Sequence, residues 1–203
     1  MKRVLLIGIF SVVGLLSPRA GSAQDWASMT EALRNIRSIK AEFLQQRTLP
    51  ILTKPLLSEG RFFFQASGSL RWEYLRPLRS VMIQKGNTLE YYHFSDGIWK
   101  PEVTQAVETR RMVITEISRW FQGRFDQSTV FQPLYSPGPP GRVILTPREG
   151  VDQFIRRITI FLSNRIGVID RVEIEEPGGS RTSIEFKKIE INSSLSSEIF
   201  EKP

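Results

Sequence analysis

Apolar and polar residues alternate through the middle of the chain, between Gly60 and Phe94. In residues 70–74, Leu-Arg-Trp-Glu-Tyr, the period of two is typical of a β-strand with one buried and one exposed face. Turn-forming pairs divide the stretch into four runs: Gly68-Ser69, Arg76-Pro77 and Gly86-Asn87. The pattern predicts four consecutive antiparallel strands, and their shared apolar face must be covered by another part of the chain.

Helical periodicity occurs on either side of these strands. Apolar residues recur every three or four positions from Trp26 to Ile36, which predicts a first helix over Asp25–Arg37. A second helix is predicted over Thr109–Gln122, with Gly123 as its C-terminal stop. Its broad aromatic stripe fits two arrangements, a helix packed on the sheet or a lid over a pocket, and the periodicity leaves both open.

The remaining strands are separated by turn-forming clusters and not by helices. One strand follows the first helix directly, with Ile39, Ala41 and Phe43 on one face. Five more are predicted towards the C-terminus: Thr129–Tyr135, Arg142–Thr146, Phe154–Ser163, Val168–Glu175 and Thr182–Ile191. This spacing is that of an antiparallel sheet. We therefore expect one mainly β domain, a highly curved antiparallel sheet of about ten strands with two helices on its concave side.

The aromatic content of the first four strands raises the question of an internal cavity. Eight aromatic side chains occur there: Phe62, Phe63, Phe64, Trp72, Tyr74, Tyr91, Tyr92 and Phe94. Aromatic residues at alternate strand positions usually form an ordinary packed core. Two short helices, however, are too few to cover the whole apolar face of about ten strands. A curved sheet closed by helices can enclose a ligand site. A packed core and an apolar cavity that would suit an acyl chain remain as alternatives.

The N-terminus has the three parts of a secretory signal peptide. Met1-Lys2-Arg3 is basic, Val4–Leu16 is apolar, and Gly21-Ser22-Ala23 supplies small residues for cleavage. The apolar run is shorter than the roughly 20 residues that a membrane-spanning helix needs. We expect cleavage near Ala23, which would leave residues 24–203 as one soluble, exported domain.

Charge and cysteine content narrow the classes of protein further. The formal charge of +7 becomes +4 in the mature chain, because Lys2, Arg3 and Arg19 leave with the signal peptide and no acidic residue does. The basic residues are scattered, so we expect no nucleic-acid partner. The chain has no cysteine, so neither disulfide bonds nor an N-terminal lipid anchor can form, and stability must come from an apolar core.

Candidate catalytic and metal-binding residues are few. Without cysteine, a zinc site would need His93, the one histidine, together with carboxylates, which is an unusual ligand set. No Gly-x-Ser-x-Gly motif is present, and the carboxylates in residues 173–176 lie among arginines, as on a solvated sheet face. We expect His93 at a solvated strand position, no catalytic residue, no metal and no cofactor. The protein is therefore predicted not to be an enzyme.

Three motifs, in their order along the chain, resemble the periplasmic outer-membrane lipoprotein carrier family, LolA. They are the glycine-led strand that begins Gly60-Arg61-Phe62, the tryptophan strand of residues 71–77, and the glycine turn of residues 85–89 that leads into Tyr91-Tyr92. The resemblance implies an incomplete β-barrel with a helical lid over an apolar cavity. It also implies a monomeric periplasmic protein that takes lipoproteins from an inner-membrane ABC release complex and passes their acyl chains to an outer-membrane acceptor.

The resemblance assigns roles to particular residues. Carried over by position, the cavity-facing residues are Phe43, Leu70, Trp72 and Tyr74, and we place with them Phe62, Phe64, Leu89 and Tyr91 of the neighbouring strands. The lid, placed by general position in the second helix, would consist of Ile117, Trp120 and Phe121.

One departure from the family pattern concerns the lid. Family members often carry an Arg-Pro pair between the glycine-led strand and the tryptophan strand, and this arginine holds the lid closed. Residues 64–68 of this chain are Phe-Gln-Ala-Ser-Gly, with no basic residue. Two alternatives to a lipoprotein carrier stay open: a paralogue that carries another lipid or glycolipid, and a lipid-sensing regulatory domain that binds a protein partner.

Overall fold

The computed structural model describes residues 21–102, 114–165 and 167–203. Its strands are β1 (Ser38–Thr48), β2 (Leu56–Gln65), β3 (Ser69–Arg76), β4 (Ser80–Lys85), β5 (Thr88–Ser95), β6 (Ile98–Pro101), β7 (Phe131–Ser136), β8 (Arg142–Pro147), β9 (Arg157–Leu162), β10 (Ile169–Glu175) and β11 (Arg181–Ile191). These eleven strands form one sheet in the order β6-β5-β4-β3-β2-β1-β11-β10-β9-β8-β7. The helices are α1 (Gly21–Arg34) and α2, whose described part is residues 114–121.

Each half of the sheet is a series of hairpins between neighbouring strands, and the two halves join where β1 pairs with β11. Every neighbouring pair is antiparallel. At the junction Phe43 lies opposite Phe186 on one side and opposite Gly60 on the other. The predicted curved antiparallel sheet is confirmed, with eleven strands in place of about ten.

The period-two pattern of the sequence corresponds to a concave, buried face and a convex, largely exposed face. In β1 the side chains of Ile39, Ala41 and Phe43 are buried, whereas the intervening ones are exposed. The two helices cover the concave face, since Leu33 of α1 and Trp120 of α2 belong to the same buried cluster as these strand residues. The predicted placement of the helices is therefore confirmed.

The bounds predicted for α1, Asp25–Arg37, are wrong at both ends. The helix begins at Gly21 and ends at Arg34. Beyond that point the backbone N–H of Arg37 donates to the Asn192 side-chain oxygen at 2.7 Å, where a continuing helix would use a carbonyl four residues earlier. This contact joins residues 155 positions apart, so local periodicity could not predict it.

The end of α2 agrees with the predicted glycine stop. Gly123 has a φ of +64°, and a Cβ added there would lie 2.5 Å from the carbonyl oxygen of Thr30 in α1. The glycine is required both by the left-handed backbone and by the close approach of the two helices. Residues 109–113 of the predicted second helix lie outside the described residues.

The C-terminal segment crosses the convex face as a strap. Phe200, in a short 3-10 helix over Ser197–Phe200, is buried, and this helix lies against β3 and β4. Arg71 donates to the carbonyl oxygens of Ile199 and Glu201, each at 3.2 Å. Close to the strap, burial raises the pKa of Tyr92. A second apolar cluster of the described residues lies on this convex side. It consists of Val81, Ile83 and Tyr92, and Trp99 packs against it.

Replacing Gly123 by alanine is expected to lower the free energy of unfolding by about 1–3 kcal/mol more than replacing Gly97 by alanine. Both glycines have positive φ, so both substitutions carry backbone strain of about 1–2 kcal/mol. Only Gly123 also faces another helix, since nothing lies within 4 Å of a Cβ at Gly97. Urea denaturation of the two variants measures the difference, and equal losses of stability would contradict this account of the helix contact.

Candidate functional site

The eight residues predicted to line a cavity lie together on the concave face of β1, β2, β3 and β5. Six of them are buried: Phe43, Phe62, Phe64, Leu70, Trp72 and Leu89. Tyr74 and Tyr91 are partly buried and pack against the same cluster. The structure therefore brings all eight into one continuous apolar surface.

Ring contacts organise the centre of this surface. The ring centroid of Trp72 lies 4.7 Å from that of Phe43 and 5.4 Å from that of Phe62. Gly60 allows this arrangement, because a Cβ on it would lie 2.5 Å from the Phe43 ring. Gly60, in the middle of β2, is thus needed to let the Phe43 ring lie over that strand. At the rim the Tyr74 hydroxyl donates to the Gln45 side-chain oxygen at 2.9 Å.

The three residues predicted to form a lid are buried in α2, and they close this aromatic surface. The Phe121 ring lies 4.8 Å from the Phe62 ring and 6.0 Å from the Phe64 ring, centroid to centroid. Ile117 and Trp120 are buried in the same cluster. The Ser118 hydroxyl also donates to the Gln84 side-chain oxygen at 3.2 Å, which connects the helix to β4.

The interior between the helices and the sheet is packed in this structure. One void there measures about 10 Å³, at the lower limit for a single water molecule, and it is lined by residues that include Ile36, Ile39, Phe121, Phe186 and Ile189. A second, of about 150 Å³, lies where α2 meets the β4–β5 hairpin, and its lining includes Leu89 and Ile114. An acyl chain would need far more room. To admit such a chain, the packing of the described residues would have to open by displacement of α1 or α2 from the sheet.

Six buried side-chain polar atoms have no hydrogen-bond partner within the described residues, and three of the six belong to Trp72 of the concave face and to α2. These three are the indole nitrogens of Trp72 and Trp120 and one carboxylate oxygen of Glu116. The other Glu116 oxygen pairs with Arg119 one turn along α2. An unpartnered buried polar group costs about 1–3 kcal/mol, so the closed packing carries penalties that a permanent core seldom retains.

Some residues of the aromatic surface were missed by the sequence analysis. Phe186 of β11 lies 5.6 Å from Phe62 and 5.7 Å from Phe121, ring centroid to centroid, and therefore contacts both the sheet and α2. The signal was present, because Ile184 and Phe186 alternate with polar residues in β11. The alternation does not predict that β11 pairs with β1, and it is this pairing that places Phe186 on the aromatic surface.

Two large grooves among the described residues lie on the convex face, where no site was predicted. One, of about 370 Å³, is lined by Leu44, Leu57 and Pro77, with the Glu59–Arg76 ion pair (2.9 Å) at its side. The other, of about 540 Å³, runs beside the C-terminal strap and includes Glu90 and Lys202. Neither groove contains any of the predicted cavity residues.

The described residues contain little that could support catalysis. His93 is half-exposed, and its ring nitrogen Nδ1 lies 3.9 Å from the Glu102 carboxylate. Within residues 21–102, 114–165 and 167–203, no group of three or more His, Asp or Glu side chains is arranged to hold a metal ion. Among the described residues, the candidate site is therefore the apolar concave surface and not a cluster of polar groups.

This curved sheet has an aromatic concave face under a helical cover, a surface whose chemistry suits an apolar ligand, and sequence comparison identifies the family. The family model of the outer membrane lipoprotein carrier protein LolA matches residues 34–202, so the chain belongs to this family. An outer-membrane lipoprotein carrier protein of Dechloromonas aromatica is 25% identical over 204 aligned residues, covering 98% of this chain and 91% of the relative. A carrier of the same name from Coxiella burnetii is 24% identical over 200 residues, covering 98% and 90%.

Solved structures give weaker matches. The LolA superfamily protein NE2245 of Nitrosomonas europaea is 10% identical with a TM-score of 0.44, covering 90% of this chain and 99% of that one. MucB of Pseudomonas aeruginosa, in its complex with MucA, is 13% identical with a TM-score of 0.49, covering 89% of this chain and 61% of that one. Both scores are below 0.5, so the family assignment comes from the sequence match.

Trp72→Glu is expected to destabilise the closed protein by at least about 3 kcal/mol, because the new carboxylate would be buried among aromatic rings without a partner. Trp72→Phe is the matched control. It keeps an aromatic ring and removes the unpartnered indole N–H, so its cost should be much smaller. Thermal unfolding measures both variants. A Trp72→Glu protein as stable as the Phe variant would show that Trp72 faces water and not a packed interior.

Proposed function

We propose that the chain is a periplasmic carrier that binds lipoprotein acyl chains between the aromatic concave face and α2, and moves them from the inner to the outer membrane. Two findings support this proposal. The chain belongs to the LolA family, whose relatives are named as lipoprotein carriers. The observation that carries the mechanism is the seating of Phe121 on Phe62 and Phe64, because a lid residue there covers an apolar surface wide enough for acyl chains.

Acyl chains and α2 would compete for the same surface. Burying one methylene group stabilises a complex by about 0.8 kcal/mol. The free energy gained by burying a chain of a dozen or more carbons therefore exceeds that of the aromatic contacts made by one lid residue. The unpartnered Trp72, Trp120 and Glu116 atoms reduce the cost of separating the helix from the sheet. The proposed carrier is thus closed when empty and opens as cargo replaces Phe121.

Closure in this chain would differ from that implied by the family resemblance. The β2–β3 connection, residues 66–68, has no arginine to hold the lid. Within the described part of α2, residues 114–121, the contacts with the sheet are apolar ring contacts and the neutral Ser118–Gln84 hydrogen bond. Lid opening is therefore expected to depend weakly on salt concentration, since screening acts on charges.

The rest of the proposed role follows from the family. We propose that residues 1–23 are removed as a signal peptide and that residues 24–203 act in the periplasm without catalytic activity. The partners would be an inner-membrane ABC release complex and an outer-membrane acceptor. Among the described residues, no helix is both long and apolar enough to cross a membrane.

Cross-linking the lid to the sheet tests this proposal. The chain has no cysteine, so Ser118→Cys/Gln84→Cys introduces the only two thiols, at positions whose side chains are in contact. Joining them with a short bis-maleimide should fix α2 on the sheet and lower the affinity for a fluorescent fatty acid at least about tenfold. The unlinked double variant should bind the probe like the unmodified protein.

Two comparisons make the result specific. Each single-cysteine variant, treated with the same reagent, carries the chemical modification without the link and should retain probe binding. Competition with a triacylated peptide and with a phospholipid then separates a lipoprotein carrier from a carrier of another lipid. Full probe binding by the cross-linked protein would place the acyl site elsewhere, and the convex groove beside Leu44 would be the next candidate.

A further inference from the structure

One end of the sheet, which we call the hairpin end, gathers five connections. They are residues 49–55, 77–79, 96–97, 148–156 and 177–180, and strand register places them side by side. Most exposed apolar side chains of the described residues are found here. Of ten large hydrophobic side chains that are exposed, seven lie in these connections or within two residues of them: Ile51, Leu52, Leu56, Leu57, Leu78, Ile98 and Phe154.

The exposed large hydrophobic side chains are concentrated at the hairpin end of the sheet. The remaining three exposed residues are Leu44 in the middle of β1, Leu134 on the edge strand β7, and Ile191 at the opposite end. The most exposed of all are at the hairpin end, where Ile51 is 89% and Leu78 is 80% exposed. Single exposed aliphatic side chains are normal in proteins, but seven of ten concentrated at one end of the sheet form a surface that is available for an interaction.

A basic residue accompanies each apolar tip. Lys54 follows Leu52, Arg79 follows Leu78, Lys100 follows Ile98 and Arg156 follows Phe154, in every case within two residues. Within the described residues Lys54 and Arg156 have no ion pair, although the hydrogen bond from Arg157 and, more weakly, the charge of Arg156 lower the pKa of Glu175. Arg79 stacks on the rings of Phe94 and Trp99 and forms no ion pair with a described carboxylate. Lys100 alone of the four is paired, with Asp96.

We propose that the hairpin end docks on the surface of an anionic lipid bilayer. Apolar tips on several separate loops can enter the headgroup region together, whereas a protein partner would favour one continuous apolar patch. Basic side chains beside the tips would lie at the level of the lipid phosphates. Because Glu149 and Asp152 also lie in the 148–156 connection, the apolar tips supply most of the attraction and the basic residues favour anionic lipid.

Docking in this orientation would present the less covered half of the concave face to the bilayer. Near the hairpin end Leu56 is exposed and Tyr74 is only partly buried, whereas Phe64 and Leu70, towards the other end, are fully buried under the helices. Docking at the hairpin end does not depend on which lipid the protein carries, because it uses only exposed residues outside the proposed acyl site.

Flotation with vesicles tests the proposal on the purified protein. Vesicles of phosphatidylethanolamine and phosphatidylglycerol should bind it, and Ile51→Ser/Leu78→Ser should lower that binding roughly tenfold. Leu134→Ser is the matched control, since Leu134 is 63% exposed but lies outside the hairpin end, and it should bind like the unmodified protein. Lys54→Gln should weaken binding roughly fivefold, and Lys85→Gln, at the opposite end, should not.

All of these positions are exposed, so fatty-acid probe binding should be unchanged in every variant, and this readout separates the docking surface from the acyl site. No binding to the anionic vesicles, or equal losses in the Leu134 control and the tip variant, would overturn the proposal. Undiminished binding of the tip variant would overturn it as well, even if the protein carried acyl chains.

Discussion

The exclusion of one aromatic surface from water is the constraint on which the rest of the structure depends. Eleven strands in a single curved sheet create a large concave face, and only α1 and the described part of α2 cover its centre. Phe121 is pivotal in this cover because its ring contacts both Phe62 of the N-terminal half of the sheet and Phe186 of the C-terminal half. One helix therefore contacts both sides of the junction of β1 with β11, and it covers the aromatic surface that the junction creates.

The same contacts serve stability and the proposed function, which limits what single substitutions can show. A side chain such as Trp72 belongs to the packed interior of the closed protein and to the acyl site of the proposed open one. Removing it affects both, so lost binding in a core variant is ambiguous. Restraining the motion of α2 while leaving the aromatic residues unchanged avoids this difficulty. The unpartnered polar atoms of Trp72, Trp120 and Glu116 are the physical sign that the closed packing is not optimised for permanence.

Local patterns were sufficient for most of the fold. Alternation and turn residues predicted the strands, and Gly123 predicted the end of α2, because strand periodicity and left-handed backbone are properties of short segments. Long-range contacts were not predictable. The Asn192 side chain ends the first helix early, Phe186 reaches the aromatic surface through the β1–β11 pairing, and Phe200 crosses the convex face, each across more than 100 residues of sequence. For the candidate site, the lining residues could be named from one face of the strands, whereas the closed packing of α2 on them could not.

Mass spectrometry of lipid extracted from the protein, purified from the periplasm under native conditions, tests the central claim most directly. The account predicts an acylated molecule that co-purifies with the unmodified protein and is largely lost when α2 is cross-linked to β4 before loading. A lipid-modified peptide in the extract would support lipoprotein cargo in particular, and a free lipid or glycolipid would indicate another cargo for the same surface. Protein that carries no acylated molecule, although it is folded and its α2 is free to move, would contradict the account.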